Sequence, residues 1–233
     1  MARQYLKWNN QLLKFNNNYM TWGSDAAPAP SYPTDHIALY KFEDNTNDDT
    51  ATYNLSQGTG TFTYQAGKIN KSIKCNTLNQ CRMYNNSLVP GTTWTMNFWV
   101  KQSTPGDVDL TCGTTSGNNR TGNVRTTSGT GVIYGFCNAN GGWQSLPAGT
   151  TNYCDNAWHY INYYRNGVSF GISVDNGTVY TATYSTVYGS DQLNINGGPM
   201  GQGVANEYDQ FRFFNRVLTA DEVTALYNAG AGV

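Results

Sequence analysis

Along most of this chain apolar and polar residues alternate in short runs, the period of a half-buried β-strand. The strongest run covers residues 93–101, TWTMNFWVK, with Trp94, Met96, Phe98 and Val100 on one face and Asn97 and Trp99 on the other. Apolar side chains on both parities predict a central strand covered by a layer on each side. Residues 37–44 open the pattern, with Tyr40 and Phe42 alternating with polar neighbours. Residues 131–137 and 156–164 read as further strands. Asp175-Asn176-Gly177, between runs at 168–174 and 178–183, reads as a hairpin turn. In residues 207–214, Tyr208, Gln210, Arg212 and Phe214 alternate with Asp209, Phe211 and Phe213. The period then changes to that of a helix. Thr219 is the expected N-cap, Glu222 its capping-box partner, Val223, Leu226 and Tyr227 the buried stripe, and Gly230 the stop.

The first 23 residues have a different texture. Tyr5-Leu6-Lys7-Trp8-Asn9-Asn10 is echoed by Leu12-Leu13-Lys14-Phe15-Asn16-Asn17, and a third arm, Tyr19-Met20-Thr21-Trp22, follows. Short aromatic arms between Asn-rich turns predict a hairpin or small meander. Such a unit cannot bury enough apolar surface alone. Tyr5, Trp8, Leu13, Phe15, Tyr19 and Trp22 are therefore the expected docking residues for a partner, the alternative being packing on the main domain's own sheet. Residues 24–35 form a Pro/Ala-rich, semi-rigid linker. The expected organisation is thus a docking segment (1–23), a linker (24–35) and a main domain (36–233).

The closing stretch carries a resemblance. Asp209, Arg212, Phe214, Asn215, Arg216, Leu218, Glu222, Val223, Leu226 and Tyr227 stand, in order, where laminin-G-like, concanavalin A-like lectin-glucanase domains place their C-terminal signature. Upstream, residues 37–44, 65–73 (with Asn70 where Gly is usual), 93–101, 156–164 and 193–197 are similar to further segments of that family, so the likeness spans about 36–229. It implies an all-β fold: a two-sheet antiparallel jelly-roll sandwich (laminin-G-like) with a short C-terminal helix, here with an N-terminal β-hairpin extension. The arms at 4–22 resemble the openings of some tailed-phage structural proteins, which implies a role in a virion.

Composition narrows the classes. Charged residues make up 12%, aromatics 14%, and the net charge is −1, with no Lys/Arg cluster to suggest a nucleic-acid partner. No apolar run approaches the roughly 18 residues of a membrane span, and no secretory signal is visible, so assembly in a host cytoplasm is expected. Among five cysteines, Cys75 and Cys81 could face each other across a hairpin, with free, partly buried thiols the alternative expected in a reducing compartment. No CxxC pair suggests zinc.

Three chemistries have candidates. Laminin-G-like domains often hold calcium at the sandwich rim, and Asp44, Asp48, Asp49 and Asp209 carry acidic oxygens, with Asp44, Asp49 and Asp209 the expected ligands; a solvated acidic loop and a structural Asp explain them as well. A glycan surface needs aromatic faces and a few orienting polar groups. Tyr134, Trp143, Asn152 and Tyr153 lie in or near the irregular 102–151 region, with Trp143 expected at a loop tip; plain loop packing is the alternative. Trp94, Phe98 and Trp158 are expected in the core. Related glucanases use ExDxxE, but here Glu207 and Asp209 are followed by Arg212 in the second glutamate's place, and His36 and His159 lack triad neighbours. No enzyme is expected. The expectation is a virion surface protein (capsid decoration, head fibre or tail), homo-oligomeric, docked on other virion proteins through residues 1–23, and presenting a jelly roll to cell-surface glycans. The alternatives are a purely structural virion protein and a carbohydrate-binding module of a secreted bacterial protein.

Overall fold

The computed structural model describes strands at 7–8, 11–15 and 18–20, and residues 32–58, 60–76, 82–106, 108–112, 121–187, 189, 192–196 and 206–233. The chain separates into two compact units, Met1–Ser31 and Tyr32–Val233. In the first, β1 (Lys7–Trp8), β2 (Gln11–Phe15) and β3 (Asn18–Met20) form a three-stranded antiparallel meander. Its ladder pairs Trp8 with Gln11, Leu13 with Met20 and Lys14 with Tyr19. Of the expected docking residues, Tyr5 and Trp22 lie outside the described residues.

The second unit is a sandwich. Its strands are β4 (Ala38–Tyr40), β5 (Ser56–Gln57), β6 (Phe62–Ala66), β7 (Lys71–Cys75), β8 (Met83–Asn85), β9 (Thr93–Lys101), β10 (Val108–Cys112), β11 (Thr121–Thr126), β12 (Ile133–Ala139), β13 (Gly142–Pro147), β14 (Trp158–Asn166), β15 (Ser169–Val174), β16 (Tyr180–Thr183), β17 (Leu193–Ile195) and β18 (Glu207–Phe214). One sheet runs β13-β12-β11-β10-β17-β8-β5; the other runs β16-β15-β14-β9-β18-β7-β6, with β4 also on β18. The stretch expected to be least regular, 102–151, supplies four strands of the first sheet, because its Thr, Asn and Gly residues alternate with Leu110, Val124, Ile133 and Cys137, all buried.

Between the sheets lies one continuous core. Trp94, Met96, Phe98 and Val100 meet Tyr163, Phe170, Phe211 and Phe213 from their own sheet, and Leu110, Val124, Ile133 and Ile195 from the other. Trp99 points the opposite way into a second cluster with Tyr160, Phe214, Leu218, Val223 and Leu226. β9 is thus covered on both faces, as its two-sided pattern predicts. Trp94 and Phe98 are fully buried, whereas Trp158 is only half-buried against the second cluster, with the Lys101 ammonium 5.6 Å from its ring.

Helix α1 (Ala220–Tyr227) carries the full capping box: the Thr219 hydroxyl accepts from the Glu222 amide, and the Glu222 carboxylate accepts from the Thr219 amide. The helix ends earlier than Gly230 predicts, because Asn228 takes the left-handed conformation (φ 47°, ψ 54°) and begins a 3-10 turn. β18 also departs from strict alternation. Gln210 sits at φ 48°, and the register with β9 slips between Asp209 and Arg212. This bulge leaves Tyr208, Phe211 and Phe213 in the main core, and sets Asp209, Arg212 and Phe214 on the outer face. Cys75 is disulfide-bonded, which corrects the free-thiol expectation for it; Cys81 lies outside the described residues. Cys137 and Cys154 are free and buried.

Candidate functional site

The outer face of β11, β12 and β13 collects the aromatic chemistry. In β12 the buried side of the strand is fixed by Gly135, where a Cβ would come within 2.6 Å of the Tyr163 ring, and by Cys137 in the core. Tyr134, Phe136 and Asn138 therefore face outward. Residues directly opposite in an antiparallel ladder share a face. The register places Arg125 opposite Tyr134, Asn123 opposite Phe136, and Trp143 opposite Asn138.

The result is a strip of three aromatic rings edged by polar groups. Tyr134 and Phe136 lie with centroids 5.8 Å apart, and the Arg125 guanidinium sits 5.9 Å from the Phe136 ring. Trp143 is 45% exposed, among the few large apolar side chains on the described surface. Rather than standing at a loop tip, it belongs to β13 just past the left-handed Asn140-Gly141 turn. The edge strand β13 thus carries the indole. Asn123 and Asn138 are buried, so the surface part of the strip is the exposed indole of Trp143 with the half-buried Tyr134, Phe136 and Arg125; flat rings of this kind can stack on the C–H face of a sugar.

Asn152 and Tyr153 do not join this strip. The Asn152 carboxamide oxygen accepts from the Cys154 amide at 2.8 Å and fills the space above Gly131, where a Cβ would lie 1.9 Å from it. Gly131 also holds a left-handed φ of 64°, so the turn requires glycine twice over. The Tyr153 ring packs edge-on to His159, 5.0 Å away, and against the main core. Phe136 and Arg125 were missed by the sequence reading. The alternation in IYGFCNA, with Tyr134, Phe136 and Asn138 on one parity, was the signal for Phe136.

The acidic candidates are committed elsewhere. Asp44 pairs with Lys71, and Asp49 with Lys41 at 3.0 Å. Asp209 is fully buried and accepts from the Ile69 amide at 2.8 Å; burial pushes its carboxyl up to about 7. The three do not form a donor set, and among the described residues no group of three or more His, Cys, Asp or Glu is placed to hold a metal ion. The acidic loop is instead organised by Asp48, which accepts from the amides of Leu39, Thr52 and Tyr53 and from the Thr50 hydroxyl. Burial alone would raise its pKa, but these hydrogen bonds outweigh burial and hold it below the ordinary value.

Other titratable groups among the described residues are held in structural pairs or buried. Glu207 is almost wholly buried between Lys74 (3.7 Å) and Lys101 (3.0 Å). His159 is clamped by Asp175 on Nδ1 (2.7 Å) and Asp155 on Nε2 (3.0 Å). Desolvation opposes its protonation, yet the two carboxylates prevail and raise its pKa. Burial pushes the Cys137 and Cys154 thiols up to about 11, far from a nucleophilic thiolate.

No protein-family model matches the chain, and no curated protein matches it in sequence. Solved structures do match it. The binding domain of Paraclostridial Mosquitocidal Protein 1 superimposes with a TM-score of 0.67 at 15% identity, over 83% of this chain and 51% of that one. Domain 4 of AbnA, a GH43 extracellular arabinanase from Geobacillus stearothermophilus in complex with arabinotriose, gives 0.66 at 14% identity, over 85% of this chain and 98% of that one. The binding domain of botulinum neurotoxin DC in complex with SialylT gives 0.64 at 13%, over 84% and 52%. The fold is a jelly roll. The chain spans about half the length of the toxin binding domains it matches and nearly all of the arabinanase domain.

Proposed function

We propose that this protein is a non-enzymatic glycan-adhesion module of a virion surface, docked by its N-terminal meander on a capsid or tail partner. The observation that carries the adhesive half is the exposed Trp143 on β13, one strand over from the row of Tyr134 and Phe136 that Arg125 flanks on β11. Two of the similar jelly-roll domains were solved with arabinotriose and with SialylT, which supports the reading by likeness of fold. The docking half rests on the meander itself: three short strands form a compact unit of their own, and so small a sheet is marginal by itself.

A glycan array with wild type and Trp143→Ala tests adhesion. Losing a stacking indole should weaken a bound glycan at least about tenfold while leaving the melting temperature within a degree or two. No binding by wild type would favour the second reading, a structural decoration protein. Removing residues 1–31 should leave a folded sandwich that no longer copurifies with particles. A truncated protein that still assembles would refute the docking role.

A further inference from the structure

The outer face of the eight-stranded sheet, under α1 and the C-terminal residues, contains a concentration of buried polar atoms with no protein partner. Cross-strand pairing sets Tyr160, Trp99 and Asp209 in one row and Asn162, Asn97 and Arg212 in the next. Ser72, beside Ile73 on β7, lies on the same side as Asp209 and away from the core. The Ser72 hydroxyl, both polar atoms of the Asn97 amide, the Trp99 N–H, the Tyr160 hydroxyl, the Asn162 carbonyl oxygen and one Asp209 oxygen are all buried without a hydrogen bond. Each of these six residues is at most 4% exposed. Tyr227 stacks over the cluster at 5.7 Å from Trp99, and a Cβ on Gly232 would lie 2.9 Å from the Trp99 nitrogen.

Left dry, this many unmet groups would cost as much as the whole net stability of a domain. Folded proteins resolve such a cluster with internal water or an ion. The mix of groups decides between them. A cation would confront the Trp99 N–H and the buried Arg212 guanidinium, which bonds to Gln210 at 3.1 Å. An anion would confront Asp209. Only a molecule that both donates and accepts suits Ser72, Asn97, Trp99, Tyr160, Asn162 and Asp209 together, and full burial limits it to the size of water. We propose that this joint between sheet and C-terminal segment is an internal hydration site, holding a small cluster of ordered, long-lived water molecules.

Two measurements on the full-length protein test this. A crystal structure at high resolution should show about two or more ordered waters, each bonded to roughly three of these groups. Oxygen-17 water relaxation dispersion should detect the same long-lived waters in solution, with fewer in Asn97→Leu. A dry interface whose side chains pair with one another overturns the proposal. So does anomalous or elemental detection of a bound ion at Asp209, or an unchanged long-lived water count in a folded Asn97→Leu variant.

Discussion

Replacing Asp209 with asparagine isolates one buried charge. The carboxyl has no exposed surface, and its pKa rises from 3.8 to about 7, chiefly through burial and against the opposing amide of Ile69. The folded protein therefore holds this proton more tightly than the unfolded chain does. Its contribution to stability is complete below about pH 4 and is lost as pH rises towards 7. A shift of this size corresponds to at most roughly 4 kcal/mol, or about 10 °C in melting temperature for a domain of this length. The asparagine of the Asp209→Asn variant would keep the hydrogen bond from the Ile69 amide and stay neutral throughout. His36, whose pKa burial lowers, and His159, whose pKa is raised, titrate in both proteins, so their effects cancel in the difference. Urea unfolding of wild type and Asp209→Asn from pH 4 to pH 8 gives that difference directly. It should be small at pH 4 and should grow in favour of the variant up to about pH 7. Parallel pH profiles would refute the reasoning.

Other outcomes follow from packing and caps. Thr219→Ala removes the capping box and should cost about 1 kcal/mol in urea unfolding; no loss would mean that the cap is idle. Gly135→Ala drives a methyl group into the buried Tyr163 ring and should cost roughly 1–3 kcal/mol, with a normal melting temperature refuting so tight a contact. Adding calcium or EDTA should leave the melting temperature unchanged, since Asp44, Asp49 and Asp209 are separately engaged; a rise of several degrees with calcium would show a site they help to build.

The parts of the fold legible in sequence are those with a local cause. The two-sided apolar pattern of β9, the Thr219–Glu222 capping box and the turn at Asp175-Asn176-Gly177 each depend on a few neighbouring residues, and each is present. Asn70 at φ 51° fits the place where glycine is usual, because asparagine tolerates the left-handed region. Features set by distant partners were not legible. The bulge at Gln210 changes which residues of β18 face the core, and nothing in EYDQFRFF marks it. Asp48 looks like one more surface acid until the backbone of Leu39 and Tyr53 closes on it. For the candidate site, Tyr134 and Trp143 are legible by residue type and Phe136 in the alternation of its strand, while Arg125 needs the register that brings β11 and β12 together.

The bulge in β18 has a bearing on how the protein is made. Before it, β18 pairs with β7 through Glu207 and Tyr208; beyond it, the same edge takes β4 through Phe211, Arg212 and Phe213. Its other edge lies against β9. A strand near the end of the domain is thus the wedge between three strands synthesised long before it. During translation β4, β7 and β9 leave the ribosome with open edges facing the place β18 will fill. Those edges stay available to a chaperone or a neighbouring nascent chain, and the sheet closes only when the final strand arrives.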